Sequence, residues 1–175
     1  TLRLNIAAYR MDYTDLQIVR FGPVPGSAFG TFQTTNIGEA DIYGREMDFI
    51  WQITDNFQLS GNYGYLDTEA DDLVIPDVGD FSGSDLRQAP EYTYSIVGVY
   101  TLPTDIGDFD FRAQFTGSDE QHFDYPSQDE TVSESHEELD LSARWRSPEQ
   151  SYQVSLWVKN ATDEAYAQHA YRIGP

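Results

Sequence analysis

The chain has 175 residues, of which 39% are hydrophobic, and its 30 acidic against 10 basic residues give a net charge of -20. A negative field of this size repels a phosphate backbone and argues against nucleic acid as a partner. The sequence contains no cysteine, which excludes disulfides and thiolate metal sites. No apolar run approaches the roughly 18 residues that a membrane helix needs, so any membrane contact must be made by strands.

Alternation of apolar and polar side chains predicts strands along most of the chain, because successive side chains of a strand point to opposite faces. The N-terminal stretch is either one long strand or two strands broken near residues 12–15. The last stretch has the clearest pattern, with Tyr152, Val154, Leu156 and Val158 on one face. No stretch favours a helix. The seven predicted strands are residues 2–21, 34–51, 57–65, 92–102, 109–115, 139–145 and 152–158.

The connections between these strands alternate in length. Short turns lie at residues 54–56, 103–108 and 147–150, and long loops lie at residues 22–33, 67–89 and 119–138. In an up-and-down antiparallel sheet the short turns share one rim and the long loops share the other, as in outer-membrane barrels. The strands also have about the nine to eleven residues of a tilted membrane strand. The predicted fold is therefore all-β, with antiparallel up-and-down strands forming part of a transmembrane outer-membrane β-barrel.

Several motifs resemble one family of membrane proteins. Residues 36–46 begin with Asn-x-Gly and lead to Gly-x-Glu, which resembles a barrel strand of the TonB-dependent receptors. Residues 158–166 resemble that family's hydrophobic strand ending in Asn-x-x-Asp-x-x-Tyr, and residues 89–92 and 9–17 fit the same pattern. The resemblance covers nearly the whole chain.

The resemblance implies an outer-membrane receptor of a Gram-negative bacterium that takes up a scarce ligand, above all an iron–siderophore, or else haem, cobalamin or a glycan. Family members have about 22 strands around a plugged lumen. We therefore expect residues 1–175 to form a partial barrel domain of seven to eight strands, with the plug domain and the last strands absent. The implied partners are outer-membrane lipid, the missing plug and remaining barrel strands, TonB through an absent N-terminal part, and a small-molecule ligand such as a ferric siderophore. The resemblance implies no cofactor and no enzymatic activity, and it places the long acidic loops outside the cell.

Two groups of side chains are candidates for ligand or lumen contacts. The ligand-vestibule candidates near the long loops are Arg87, His122, Phe123, Tyr125 and His136. Exposed histidines, an ion pair of Arg87 with its acidic neighbours, and packing of the loop upon itself are the structural alternatives. The lumen-facing candidates are Glu46, Asp48, Arg112 and Arg144, for which a polar lining of a wet interior is the alternative.

Arg45 has the parity of Met47 and Phe49, which puts it on the lipid side. A mid-depth position there would cost about 2–4 kcal/mol, so we expect Arg45 to lie near a rim or to snorkel.

Two other classes of protein remain open from the sequence. A soluble acidic β-sandwich could bind carbohydrate or calcium through the clustered carboxylates, although no Asp-x-Asp-x-Asp spacing supports calcium. An outer-membrane hydrolase would need a smaller closed barrel, and the sequence has no Gly-x-Ser-x-Gly or His-Glu-x-x-His motif.

Overall fold

The computed structural model describes residues 1–23, 30–36, 38–75, 79–124 and 131–170. The described residues form strands, turns and loops without an α-helix, and none of their segments is a helix long and apolar enough to cross a membrane. The strands are β1 (Leu2–Thr14), β2 (Gln17–Pro23), β3 (Gly30–Asn36), β4 (Glu39–Gln52), β5 (Phe57–Ala70), β6 (Val74–Ile75), β7 (Gly79–Asp80), β8 (Tyr92–Thr104), β9 (Gly107–Ser118), β10 (Gln121–His122), β11 (Val132–Ser133), β12 (His136–Arg146) and β13 (Gln153–Val158).

Seven of these strands form one antiparallel sheet in the order β1-β4-β5-β8-β9-β12-β13. The prediction of seven up-and-down strands is confirmed. The first predicted strand is broken, as one of the two alternatives had it, at Asp15, which has a φ of 57°. The stretch predicted as residues 34–51 is also broken, at Gly38, whose carbonyl accepts a hydrogen bond from the Leu16 amide at 3.0 Å. Both breaks therefore lie at the same end of the sheet, where β1 ends and β4 begins.

The sheet has two chemically different faces, which we name the apolar face and the polar face. Cross-strand partners share a face, so the register defines both. One row of the apolar face is Ile6, Met47, Tyr63 and Tyr94. The adjacent row of the polar face is Asn5, Asp48, Asn62 and Ser95.

The apolar face is open. Ile6 and Leu156 have 72% and 71% of their surface exposed. The other sheets of the described residues are two-stranded hairpins, so the structure has no second large sheet to form a sandwich. The seven-stranded sheet also does not close, because β1 and β13 lie at its two edges. The described sheet is therefore neither half of a sandwich nor by itself a closed barrel.

Connections of different length lie at opposite ends of the sheet. The short-turn end carries residues 53–56, 105–106 and 147–152, and the long-loop end carries residues 15–38, 71–91 and 119–135. Each long loop contains one of the small hairpins β2–β3, β6–β7 and β10–β11. The asymmetry predicted from the sequence is thus present in the described residues.

The described part of residues 67–89, predicted as a loop without periodicity, contains strand and a small buried core. Its chain extends β5 to Ala70 and then forms a small core in which Ile18, Ala70, Leu73 and Ile75 are buried, with Phe81 and Leu86 packed against them. Apolar side chains inside an acidic segment drive this local burial. The result is a folded cap at the long-loop end.

Gly38 is the tightest point of this cap, and we expect Gly38→Ala to disrupt it. Gly38 has a φ of +71°, and a Cβ there would lie 1.4 Å from the carbonyl oxygen of Asp72. Gly83 has a similar φ of +81° but open space around it. Gly83→Ala should cost only the backbone strain, about 1–2 kcal/mol, whereas Gly38→Ala adds a clash with backbone. Hydrogen exchange of residues 66–75 should rise strongly in Gly38→Ala alone, and equal exchange in both variants would contradict the clash.

Candidate functional site

The polar face carries all four lumen-facing candidates. Glu46 and Asp48 lie on it in β4, Arg112 in β9 and Arg144 in β12. Asp48 accepts a hydrogen bond from Asn5 Nδ2 at 2.7 Å. Polar side chains on this face therefore pair with one another across strands, and the face forms a wettable wall.

Tyr9 and Gly44 explain the Gly-x-Glu motif. They are direct cross-strand partners on the polar face. A Cβ on Gly44 would lie 2.0 Å from the Tyr9 ring, so the ring occupies the space above the glycine. The Tyr9 hydroxyl donates a hydrogen bond to Glu46 at 3.4 Å. The glycine is thus required by the close approach of a neighbouring ring.

Replacing Gly44 by Ala should destabilise the protein by about 1–3 kcal/mol, the usual cost of overpacking. Gly64 provides a control on the same face, because its Cβ would meet only the Thr93 hydroxyl at 3.3 Å. Denaturant unfolding of the refolded receptor would measure both variants. Adding Tyr9→Ala to Gly44→Ala should recover part of the loss, since the two residues are in contact. Strict additivity would contradict the arrangement.

A charged cluster centred on Asp110 occupies the polar face near the short-turn end. Asp110 is 8% exposed. Its carboxylate contacts Arg144 Nε at 3.3 Å and Arg146 Nη2 at 3.1 Å. Thr101 Oγ1 donates a hydrogen bond to it at 2.8 Å. The sequence identified Arg144 but missed Asp110 and Arg146, and their alternation with apolar neighbours is the signal that could have found them.

The vestibule candidates among the described residues lie at the long-loop end. The Gln88 amide donates to the His122 carbonyl at 2.8 Å, which brings the Arg87 segment beside β10. His136 is the first residue of β12 and stacks on Tyr166, with ring centroids 3.8 Å apart. Tyr125 lies outside the described residues.

Phe123 is buried among the described residues. The sequence placed it at a loop tip where its ring could stack on a ligand, but it is only 5% exposed. Its ring packs edge-on against His169, with centroids 5.5 Å apart. Phe123 therefore packs against the segment after β13, and its contact with a ligand stays a prediction.

The Asn-x-x-Asp-x-x-Tyr motif closes a turn after β13. Asn160 has a φ of 48°, and its side chain accepts a hydrogen bond from the Glu164 amide at 2.9 Å and donates one to the Glu164 carbonyl at 2.8 Å. Tyr166 then stacks on His136 and donates to Glu138 at 3.1 Å. The motif thus fastens the segment after β13 to the start of β12.

The long-loop end is also strongly negative. In the hairpin β6–β7, hydrogen bonds from the hydroxyl and the amide of Ser82 lower the pKa of Asp80, which keeps it ionised. Within the described ranges, no group of three or more His, Cys, Asp or Glu residues could hold a metal ion.

A family model described as "TonB dependent receptor-like, beta-barrel" matches residues 1–161. The chain belongs to this family. No curated protein matches it significantly in sequence.

Solved structures of TonB-dependent receptors share the fold. The ferric yersiniabactin uptake receptor FyuA from Yersinia pestis matches with a TM-score of 0.80 and 20% identity over 99% of this chain and 24% of its own. The siderophore receptor PiuA from Acinetobacter baumannii matches with a TM-score of 0.70 and 21% identity, over 94% of this chain and 22% of its own. BauA, the ferric preacinetobactin receptor from Acinetobacter baumannii, matches with a TM-score of 0.67 and 18% identity, over 95% of this chain and 24% of its own. The chain spans about a quarter of these receptors and is a partial barrel.

TonB-dependent receptors lie in the outer membrane of Gram-negative bacteria, which explains the open apolar face as the lipid-facing one. Aromatic side chains form a band towards each end of this face, as in membrane barrels generally, and Phe49 and Phe115 lie in a row between the bands. The band towards the long-loop end is Tyr63, Tyr65, Tyr92 and Tyr94. The band towards the short-turn end is Trp51, Tyr100, Phe109 and Trp145.

Arg45 lies on the apolar face, and its predicted parity is confirmed by its pairing with Ala8 and Tyr65. Its guanidinium lies over the Tyr65 ring, 5.8 Å from the centroid. Because Tyr65 belongs to the band towards the long-loop end, this position agrees with the expected place near a rim.

Proposed function

We propose that this chain is part of the barrel of an outer-membrane receptor that imports a ferric siderophore. The observation that carries the proposal is the fold shared along 99% of the chain with a ferric yersiniabactin uptake receptor. Two further neighbours are named as a siderophore receptor and a ferric preacinetobactin receptor. Two of these names include the word ferric and the third the word siderophore, which supports a ferric siderophore as the cargo and transport rather than catalysis as the activity.

In this proposal, the long acidic loops face the outside of the cell and the short turns face the periplasm. Outer-membrane barrels have their longer connections on the extracellular side. The vestibule candidates Arg87, His122 and His136 would then lie at the entrance. Carboxylates of the long loops would give this entrance its negative field.

The polar face then lines the lumen and contacts a plug domain. The wall pairs Asn5 with Asp48 and offers Glu46, Arg112 and Arg144 as hydrogen-bonding or charged groups. The edges at β1 and β13 are met by the other barrel strands of the receptor, since unpaired edges invite further strands. TonB engages a part of the receptor outside residues 1–175.

Uptake of radioactive iron in a strain that lacks the complete receptor tests the proposal. Restoring the receptor should restore uptake of at least one ferric siderophore, and deleting TonB should abolish that uptake. Haem, cobalamin and a glycan are supplied in parallel as competing cargoes. TonB-dependent uptake of one of these, without uptake of any ferric siderophore, would overturn the iron assignment.

A further inference from the structure

A pocket of about 270 Å³ lies at the long-loop end, on top of the sheet where β8 and β12 begin and β9 ends. We name it the rim pocket. The side chains used below are those of Tyr92, Tyr94, Ser135, His136, Glu137 and Glu164, which line it.

The rim pocket is lined by acidic and aromatic side chains. Two carboxylates and two tyrosine rings face a volume large enough for a small organic group, and none of the described residues that line it is Lys or Arg. Carboxylates accept charge-assisted hydrogen bonds, and tyrosine rings attract cations over their faces. The pocket is therefore complementary to a positive charge that carries hydrogen-bond donors.

The tyrosine wall of the rim pocket is held in place by contacts among its own residues and with Gly117. Tyr94 lies over Gly117, where a Cβ would be 2.5 Å from its ring, and its hydroxyl donates to Glu137 at 2.5 Å. Tyr92 and Tyr94 are stacked, with ring centroids 6.5 Å apart and an interplanar angle of 18°. A pre-formed pocket loses little conformational entropy when a ligand enters.

The opposite wall is fixed by the turn after β13. The Asn160 side chain binds both the amide and the carbonyl of Glu164, which fixes the backbone of Glu164 at this wall of the pocket. His136 is held by its stack on Tyr166. The family motif at residues 160–166 thus supplies one acidic wall of the pocket.

We propose that the rim pocket binds the primary ammonium group of a small organic amine. The ammonium donates hydrogen bonds to Glu164 and Glu137, and its alkyl part lies against the two tyrosine rings. A bare metal ion fits less well, because the described residues offer no group of three carboxylate or imidazole ligands. The shared chemistry has two sources, a soluble amine or an aminated lipid headgroup, since the pocket lies at the edge of the lipid-facing side. The inference does not depend on which ligand is imported.

Isothermal titration of the complete receptor in detergent with 1,4-diaminobutane tests the proposal, with 1,4-butanediol as the uncharged probe of the same length. We expect the diamine to bind and the diol not to bind. Glu164→Gln should weaken diamine binding about tenfold, the loss expected from one charge-assisted contact. Glu149→Gln, the same change at an exposed position of the short-turn end, should leave binding unchanged.

Native mass spectrometry separates the two sources. Retention of phosphatidylethanolamine over phosphatidylglycerol in the wild-type receptor, lost in Glu164→Gln, identifies a headgroup. Equal retention of the two lipids, with diamine binding intact, identifies a soluble amine. Equal binding of diamine and diol, or equal loss of diamine binding in Glu164→Gln and Glu149→Gln, overturns the proposal.

Discussion

Asp110→Asn should destabilise the receptor by about 2–3 kcal/mol. Removing one partner of a buried ion pair commonly costs about 3–5 kcal/mol, because the remaining charge is left uncompensated. Asp110 is 8% exposed, but the side chains of Arg144 and Arg146 are 49% and 36% exposed. Water therefore screens the two guanidinium groups in part. For this reason we expect about 2–3 kcal/mol rather than the full cost for a buried pair. Unfolding of the refolded receptor in guanidinium chloride would measure the difference in the free energy of unfolding between the variant and the wild type.

Asp105→Asn is the matched control, since Asp105 is an exposed carboxylate in the turn before β9. Exposed substitutions away from special contacts usually change stability by less than about 0.5 kcal/mol. Adding Arg144→Gln to Asp110→Asn should recover part of the loss, because removing both charges avoids the uncompensated one. A loss of similar size in Asp105→Asn, or no recovery in the double variant, would contradict a role for the charge cluster.

The Asp110 cluster shows that the sequence pattern predicts the face on which a residue lies but not the residues that it contacts across strands. Alternation predicted that Arg112 and Arg144 share a face, because the side-chain period of a strand is two and only parity matters. It could not predict that Asp110 meets Arg144 and Arg146. That meeting depends on the register between β9 and β12, which neither strand specifies by itself.

Contacts between distant segments account for the other differences. The burial of Phe123 depends on His169, and the burial of Leu73 depends on Ile18. Loop periodicity carries no signal for such contacts, although Leu73 and Ile75 are conspicuous as apolar residues in an acidic stretch. Motif resemblance located Gly38, Gly44 and Asn160. Their physical roles are seen only in the folded structure: the chain passes close to Gly38, a tyrosine ring covers Gly44, and the Asn160 side chain closes a turn.

Two adjacent positions in β8 provide the strongest test that the apolar face meets lipid. At the first of them, Ile96→Arg should destabilise the receptor in the membrane by about 2–4 kcal/mol. Ile96 lies on the apolar face, where it pairs with Gly61 and Phe115 and is 43% exposed. In β8 itself, it lies between Tyr94 on the long-loop side and Tyr100 on the short-turn side, which belong to the two aromatic bands. A charge between the bands meets hydrocarbon and cannot be solvated.

Val97→Arg is the matched control, because the same β-branched-to-arginine change is made one residue further along. Val97 lies on the polar face and pairs with Ser60 and Gln114, so its arginine would reach the wet lumen. The fraction of complete receptor that assembles in the outer membrane, together with its unfolding in lipid vesicles, measures both variants. We expect Ile96→Arg to assemble poorly and Val97→Arg to assemble nearly as well as the wild type. Equal loss in both would mean that the apolar face does not meet lipid at this depth, because only a difference in solvent separates two neighbouring positions of one strand.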